Sequence, residues 1–151
     1  MTTATHPRSK TLATWIAVVG GVLGLHRFYL HGLRDPAGWL YPLPTLLGVW
    51  GVQRMLELGH DDRLAWVLMP LLGLMLVVAM GHAIAYGLTP DETWSARFDP
   101  GQPVHDTRWG PVIGVIVAVM LGAAALTSTI AYGGQRLFEW QLERERAAQR
   151  G

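Results

Sequence analysis

Near the N-terminus, four adjacent residues combine ionisable and aromatic side chains: His26, Arg27, Phe28 and Tyr29. They follow residues 11–25, a run that contains no Asp, Glu, Lys or Arg. If that run crosses a membrane, the order places a cation and an ionisable ring at the lipid boundary, with two aromatic rings suited to the same boundary. These residues form the first candidate interaction motif.

Two kinds of role are open to Arg27. At a membrane interface its guanidinium can bind lipid phosphate or cap the carbonyl groups that end the first helix. Alternatively, it forms a structural ion pair with Asp35 or Glu57, or it contacts a partner protein. Phe28 and Tyr29 are expected to anchor the chain at the interface rather than to line a cofactor site.

His82 is the second candidate, because it is the only histidine in a long uncharged run at residues 64–90. An ionisable side chain inside a membrane is a functional hypothesis by default. The expected state is a neutral ring hydrogen-bonded to a backbone carbonyl or a hydroxyl group. Less favoured alternatives are haem ligation together with His26 and a proton pathway, for which the run supplies no Asp or Glu.

The composition argues against several other kinds of site. The chain has no cysteine, which removes disulfides, thiolate metal sites and a cysteine nucleophile. His60, Asp61 and Asp62 are neighbours in a turn and are expected to cap helices rather than bind metal. No catalytic triad or phosphate-binding loop is recognisable, so neither an enzyme nor a bound cofactor is expected. A net charge of +1 with scattered arginines predicts no nucleic-acid partner.

The elements that position these residues follow from the distribution of charge. Half of the residues are apolar and 15% are charged, against about 25% in average soluble domains. Uncharged runs cover residues 11–25, 36–53, 64–90 and 109–135. A membrane-spanning helix needs about 20 apolar residues. We therefore predict an all-α, polytopic integral membrane protein with four transmembrane helices, the first extended to Leu30 and retained rather than cleaved as a signal peptide.

Turn signals divide the chain into four parts: a polar N-terminal segment (1–10), a two-helix unit (11–58), a second helical pair (59–135) and a tail (136–151). Pro36 can begin a helix, and Pro42 and Pro44 predict a break before the helix that follows. That helix should end near Leu58, with Gly59 as its C-cap. The sequence from Thr89 predicts a capping box and a short helix to Phe98, which we expect to lie in the membrane interface.

Small residues recur every fourth position in the last run, at Gly110, Gly114, Ala118 and Gly122. This spacing gives one face of a helix a smooth strip on which another helix can pack closely. The strip is a candidate site of association within the chain, with a second copy or with another membrane protein.

The positive-inside rule predicts the orientation of such a protein. With four spans, the N-terminus, the connection at residues 54–63 and the tail share a side. That side would hold eight of the 12 Lys and Arg residues. Both termini are then expected in the cytoplasm of a multi-pass cell-membrane protein.

Residues 10–58 resemble the TM-2 domain family, a module of two transmembrane helices found in many bacterial membrane proteins and some eukaryotic ones. The similarity rests on Lys10, the glycines at the end of the first run, the motif from His26 to Leu30, and Gly48 with Trp50 in the second run. His31 stands where the family usually has Gly, and Gln53-Arg54 where it usually has Asp.

The resemblance implies a membrane protein, in a bacterium one of the inner membrane, with a role in assembly, signalling or interaction and no defined activity. We therefore expect a non-enzymatic interaction or scaffold component that acts by helix packing and by contacts at the motif. The alternative is a small transporter or channel subunit. A haem- or quinone-binding membrane protein is a further, less favoured alternative.

Overall fold

The computed structural model describes residues 8–101, 103–104 and 106–150. Within these ranges the protein is all-α, as predicted, with one short 3-10 turn and connecting loops. Most of the predicted polar segment 1–10 lies outside the described residues. In chain order the elements are α1 (Lys10–Gly20), a 3-10 turn (Gly21–Leu23), α2 (Leu25–His31), α3 (Pro36–Leu40), α4 (Pro42–Leu58), α5 (Arg63–Leu88), α6 (Asp91–Phe98) and α7 (Gly110–Arg150).

The first uncharged run does not form one long helix, which corrects the prediction for residues 11–30. Helix α1 is 11 residues long, about 16 Å, and ends at a turn where Gly24 adopts a left-handed φ of +74°. Helix α2 then returns beside α1, since Leu30 packs with Ala13 in one apolar cluster. The two helices form a hairpin.

Helices α3 and α4 follow each other with a break at Tyr41, close to the prolines that predicted it. Pro36 and Pro42 each begin a helix, where a missing backbone N–H costs nothing. Two glycines of α4 face the backbone of α5: a Cβ at Gly48 would lie 2.5 Å from the Leu72 nitrogen. Helix α4 therefore packs unusually close to α5.

The turn between α4 and α5 has the caps that the sequence predicted. Gly59 ends α4 with φ +88°, and its N–H donates to the Met55 carbonyl over 3.0 Å. Asp62 caps α5 and also accepts from Nε of Arg54 over 2.7 Å. Arg54 thus pairs across the turn with Asp62, and not with the i, i+3 residue Glu57, because Asp62 is fixed within reach by its capping position.

Helix α6 has the predicted extent, but its expected cap is wrong. Thr89 does not close a capping box; its hydroxyl donates to the Ala85 carbonyl of α5 over 2.7 Å. Trp94 is 4% exposed and lies against the hairpin, with the Phe98 ring tilted at 44° to it and 4.4 Å away, centroid to centroid. Trp94 therefore packs on the hairpin, and the predicted place of α6 in the membrane interface stays a prediction.

Helices α5 and α7 run antiparallel along their length and form the centre of the bundle. Ala79, Met80 and Ala83 of α5 are buried with Ala118 of α7 and Ala17 of α1. The 41 residues of α7 exceed the 26 of α5. Because Glu143 of α7 still lines a pocket with Asp61 and Trp66 at the start of α5, the part of α7 beyond Glu143 projects about 10 Å from the bundle.

The N-terminal end of α1 lies at the opposite end of the bundle from the tail. Lys10 binds the Thr89 carbonyl over 3.0 Å and the Asp91 carboxylate, whereas Arg136 lies by Trp66 at the other end of α5. The start of α1 and the tail therefore lie at opposite ends of the bundle. The reason is the hairpin, which returns the chain to its starting end before α3 begins. The side of the membrane on which each terminus lies stays a prediction.

Two helices of the described chain are long and apolar enough to cross a membrane, Arg63–Leu88 and Gly110–Gln149. This number replaces the predicted four, because the first run is bent into a hairpin and α4 is a shorter helix of 17 residues. Only 22% and 11% of their most apolar stretches are buried within the protein. A core helix of a soluble protein would bury most of its apolar side chains, so these two helices indicate association with a membrane.

Candidate functional site

The turn at the tip of the hairpin sets the position of the candidate motif. A Cβ at Gly21 would lie 2.7 Å from Cβ of Ala79, so the glycine lets the turn approach α5 closely. The Val22 carbonyl at the tip accepts from Thr45 of α4 over 2.6 Å. Thr45 is buried, and it supplies the partner that the interrupted helix lacks. The sequence carried no signal for this role of Thr45.

The turn brings His26 into the interior of the bundle, where its side chain is fully buried. Its ring lies 4.9 Å from the His82 ring, 5.3 Å from Tyr41 and 5.8 Å from Tyr86, centroid to centroid. Among the described residues, neither imidazole nitrogen of His26 has a hydrogen-bond partner. His26 and His82, chosen separately from the sequence, thus meet in one aromatic cluster.

His82 has partners for both ring nitrogens. Nδ1 lies 2.9 Å from the Val78 carbonyl and Nε2 lies 3.4 Å from the Tyr41 hydroxyl. A carbonyl only accepts, so Nδ1 donates to Val78, whereas the Tyr41 hydroxyl can donate to Nε2 or accept from it. The hydrogen bond to a backbone carbonyl that the sequence predicted for His82 is therefore present, and the neutral state of the ring stays a prediction.

Arg27 has its hydrogen-bonded partner within the chain. Nε donates to Oδ2 of Asp35 over 2.7 Å, and the Asp35 side chain also accepts from the Ala37 N–H at the start of α3. The hydrogen bond from Arg27 lowers the pKa of Asp35 below its usual value. Of the roles considered for Arg27, the structure contains the ion pair with Asp35.

Phe28 and Tyr29 also contact the chain itself. The Phe28 ring covers Gly38 and lies 5.2 Å from Trp39. The Tyr29 hydroxyl accepts the Ser9 N–H over 2.9 Å. The motif therefore holds the hairpin to α3 and to the segment before α1.

The small-residue strip of α7 lies against α1 and α5. A Cβ at Gly110 would meet Thr11 at 2.6 Å, one at Gly114 would meet Thr14 at 2.7 Å, and one at Gly122 would meet Met80 at 3.0 Å. Ala118 is fully buried. The strip is thus occupied by helices of the same chain.

A polar latch that the sequence did not reveal joins the start of α1 to α6. Lys10 and Thr107 both contact the carboxylate of Asp91, and Arg8 binds Asp99 over 3.0 Å through its backbone N–H. Burial would raise the pKa of Asp91, but the hydrogen bonds from Lys10 and Thr107 outweigh it and lower the pKa to about 2. The ends of this latch are far apart in sequence, and only the hairpin brings them together.

The geometry also bears on the chemistry that the site can support. Within the described residues, no group of three or more His, Asp or Glu side chains is placed to hold a metal ion. The rings of His26 and His82 are in direct contact, which leaves no space between them for a porphyrin. The cluster is therefore suited to packing and hydrogen bonding.

The fold and the site define an all-α protein in which a helical hairpin docks on two long apolar helices. Comparisons of the chain with family models, with curated proteins and with solved structures found no match. The resemblance to the TM-2 domain family therefore stays a prediction that rests on its motif residues.

Proposed function

We propose that this protein is an integral membrane component that works through interaction rather than catalysis. The observation that carries the membrane assignment is the exposure of α5 and α7, whose most apolar stretches are 22% and 11% buried. Water would make such surfaces aggregate, whereas lipid tails solvate them. The TM-2-like residues from Lys10 to Trp50 agree with this assignment.

The proposed topology has three crossings and one re-entrant hairpin. Helices α3 and α4 together cover residues 36–58, about 34 Å of helix, enough for the roughly 30 Å hydrocarbon core. With this path, each side holds six of the 12 Lys and Arg residues. The charge asymmetry that favoured two cytoplasmic termini is lost, and we propose termini on opposite sides.

The interaction surface that we propose is the projecting end of α7. The two surfaces expected from the sequence, the His26 motif and the Gly110 strip, contact the protein's own helices. Residues 144–149 lie beyond the bundle and are exposed, with both signs of charge. A rigid helical extension anchored in a membrane suits contact with a partner in the aqueous phase.

The test has two parts, starting with alkaline carbonate extraction of membranes that contain the full chain. Retention in the pellet is expected, and release into the supernatant would contradict the membrane assignment. Partners are then recovered in mild detergent and quantified by mass spectrometry, with the full chain compared with a variant in which residues 144–151 are a Gly-Ser linker. Loss of the same partners from the linker variant is expected; an unchanged set would exclude the tail as the interaction surface.

The alternative functions have less support. A transporter or channel needs polar groups along a path, and the cavity between α5 and α7 is lined mainly by apolar side chains. A haem site between the two histidines is disfavoured by their ring contact. The interaction component is therefore the function that the geometry supports best.

A further inference from the structure

An apolar groove opens between α5 and α7 below the tip of the hairpin. Its volume is about 420 Å³, within the usual range of about 300–1,000 Å³ for ligand pockets. Val18 and Met80 line one end, and Tyr132 lines the other, with Ala125 between them. The groove exists because the hairpin turns back at Ala79, so that no part of α1 continues along the first half of α5.

A polar pocket continues the groove at the Tyr132 end. Its volume is about 470 Å³, and Trp66 and Arg136 line it. Trp66 is one helical turn from Met69, and Arg136 one turn from Tyr132, both of which line the groove. The guanidinium of Arg136 lies 4.8 Å from the Trp66 ring and 5.5 Å from the Tyr132 ring. The groove and the pocket therefore adjoin along α5 and α7, and we call the two together the slot, which is apolar at one end and polar at the other.

The charges around the polar pocket are mixed and mainly negative. Arg136 donates to Glu139 over 2.6 Å, and Asp61 and Glu143 also line the pocket. A guanidinium has five N–H donors, so the bond to Glu139 leaves donors for a phosphate. The carboxylates in turn accept hydrogen bonds from a primary ammonium group. A purely anionic headgroup would face three carboxylates with one guanidinium.

We propose that this slot binds one glycerophospholipid with a zwitterionic ethanolamine headgroup. An acyl chain fills the groove beside Ala125, the phosphate binds Arg136, and the ammonium group lies among Asp61, Glu139 and Glu143. The proposal rests on the membrane placement proposed above, because only a bilayer supplies such a ligand at this position. A choline headgroup has no N–H to donate and fits less well.

The test uses the full chain, delipidated in detergent, with three lipids of matched acyl chains added separately. The lipids are phosphatidylethanolamine, phosphatidylcholine and phosphatidylglycerol, and binding is measured by native mass spectrometry and by the shift in Tm. Phosphatidylethanolamine is expected to bind about tenfold more tightly than the other two, the equivalent of about 1.4 kcal/mol. Equal binding of all three, or preference for either competitor, would overturn the proposal.

Variants separate the groove from the headgroup pocket. Ala125→Phe fills the groove and should reduce binding of phosphatidylethanolamine about tenfold, whereas Ala123→Phe, at an exposed position of α7 outside the groove, should leave binding unchanged. Equal effects of the two substitutions would exclude the groove as the site of the acyl chain.

A change of selectivity tests the headgroup pocket without depending on stability. Glu143 is exposed, so Glu143→Lys is expected to fold, and it should shift the preference from phosphatidylethanolamine to phosphatidylglycerol. An unchanged order of affinities would count against the pocket. Carbonate extraction separates the two proposals: a protein that stays in the membrane but does not discriminate lipids lacks this site, whereas a released protein lacks the membrane placement itself.

Discussion

Nε of Arg27 lies 2.7 Å from Oδ2 of Asp35, across the turn between α2 and α3. The same carboxylate accepts the Ala37 N–H and so caps α3. One side chain therefore fixes the direction in which the chain leaves the hairpin. Arg27 therefore stabilises a turn of its own chain.

Arg27→Ala should lower the Tm of the purified protein, because it leaves the Asp35 carboxylate without its charged partner. Arg34→Ala, at an exposed position in the same turn, is the matched control and should change Tm little. The double variant that combines Arg27→Ala with Asp35→Asn should have a Tm no lower than that of Arg27→Ala alone. Equal effects of Arg27→Ala and Arg34→Ala would remove the special role of Arg27.

Gly114→Leu should destabilise the bundle by about 1–3 kcal/mol through overpacking, because a Cβ at this position would lie 2.7 Å from Cγ2 of Thr14. Gly133 of the same helix has no atom within 4 Å of an added Cβ among the described residues. Gly133→Leu should therefore be neutral or stabilising. Denaturation in detergent measures the stability of both variants. Similar losses of stability would contradict the packing role of the strip.

The pH dependence of stability should contain a step from Asp91. Its pKa is lowered in the folded protein from 3.8 to about 2, so its contribution is present above pH 3.8 and is lost as the pH falls towards 2. The contribution is about 1–2 kcal/mol. Tm measured between pH 5 and pH 2 should fall more for the parent protein than for Asp91→Asn, and parallel curves would contradict the latch.

Because the chain has no cysteine, single-cysteine variants can test the hairpin directly. Ser9→Cys and Glu92→Cys should react with a membrane-impermeant thiol reagent from one side of the membrane. Asp61→Cys and Ala148→Cys should react from the other. Labelling of positions 9 and 61 from the same side would contradict the proposed topology and support the four-span arrangement.

His26→Leu should leave the free energy of unfolding unchanged or raise it by about 1–2 kcal/mol, because it removes two buried nitrogens that have no partner among the described residues. His82→Leu should lower it, since Tyr41 and the Val78 carbonyl then lose a hydrogen-bond partner. A large loss from His26→Leu would show that its nitrogens are satisfied in the native protein.

Local signals in the sequence correctly predicted several helix ends. The start of α3 at Pro36, the end of α4 at Gly59 and the cap of α5 at Asp62 were all expected. Each depends on a residue acting on its own backbone or on the next turn, as a proline, a glycine with positive φ or a side-chain acceptor. Such effects need no tertiary contact.

The path of α2 was not predictable in the same way. The glycines from Gly20 to Gly24 are equally compatible with a continuous membrane helix that packs closely. A reversal needs Gly24 in the left-handed region, Gly21 against Ala79 and Thr45 bonded to the Val22 carbonyl. Ala79 and Thr45 lie on other helices, so the sequence around the turn does not encode the contacts that stabilise it.

The sequence by itself determined the all-α class, the two long apolar helices and the unusual character of the His26 motif, because composition and short-range spacing encode them. Only the tertiary structure decided that His26 meets His82 and that Lys10 meets Asp91. Both contacts join residues more than 50 positions apart, and both follow from one reversal at Gly24. Long-range contacts of this kind are fixed by how helices pack, which no local pattern specifies.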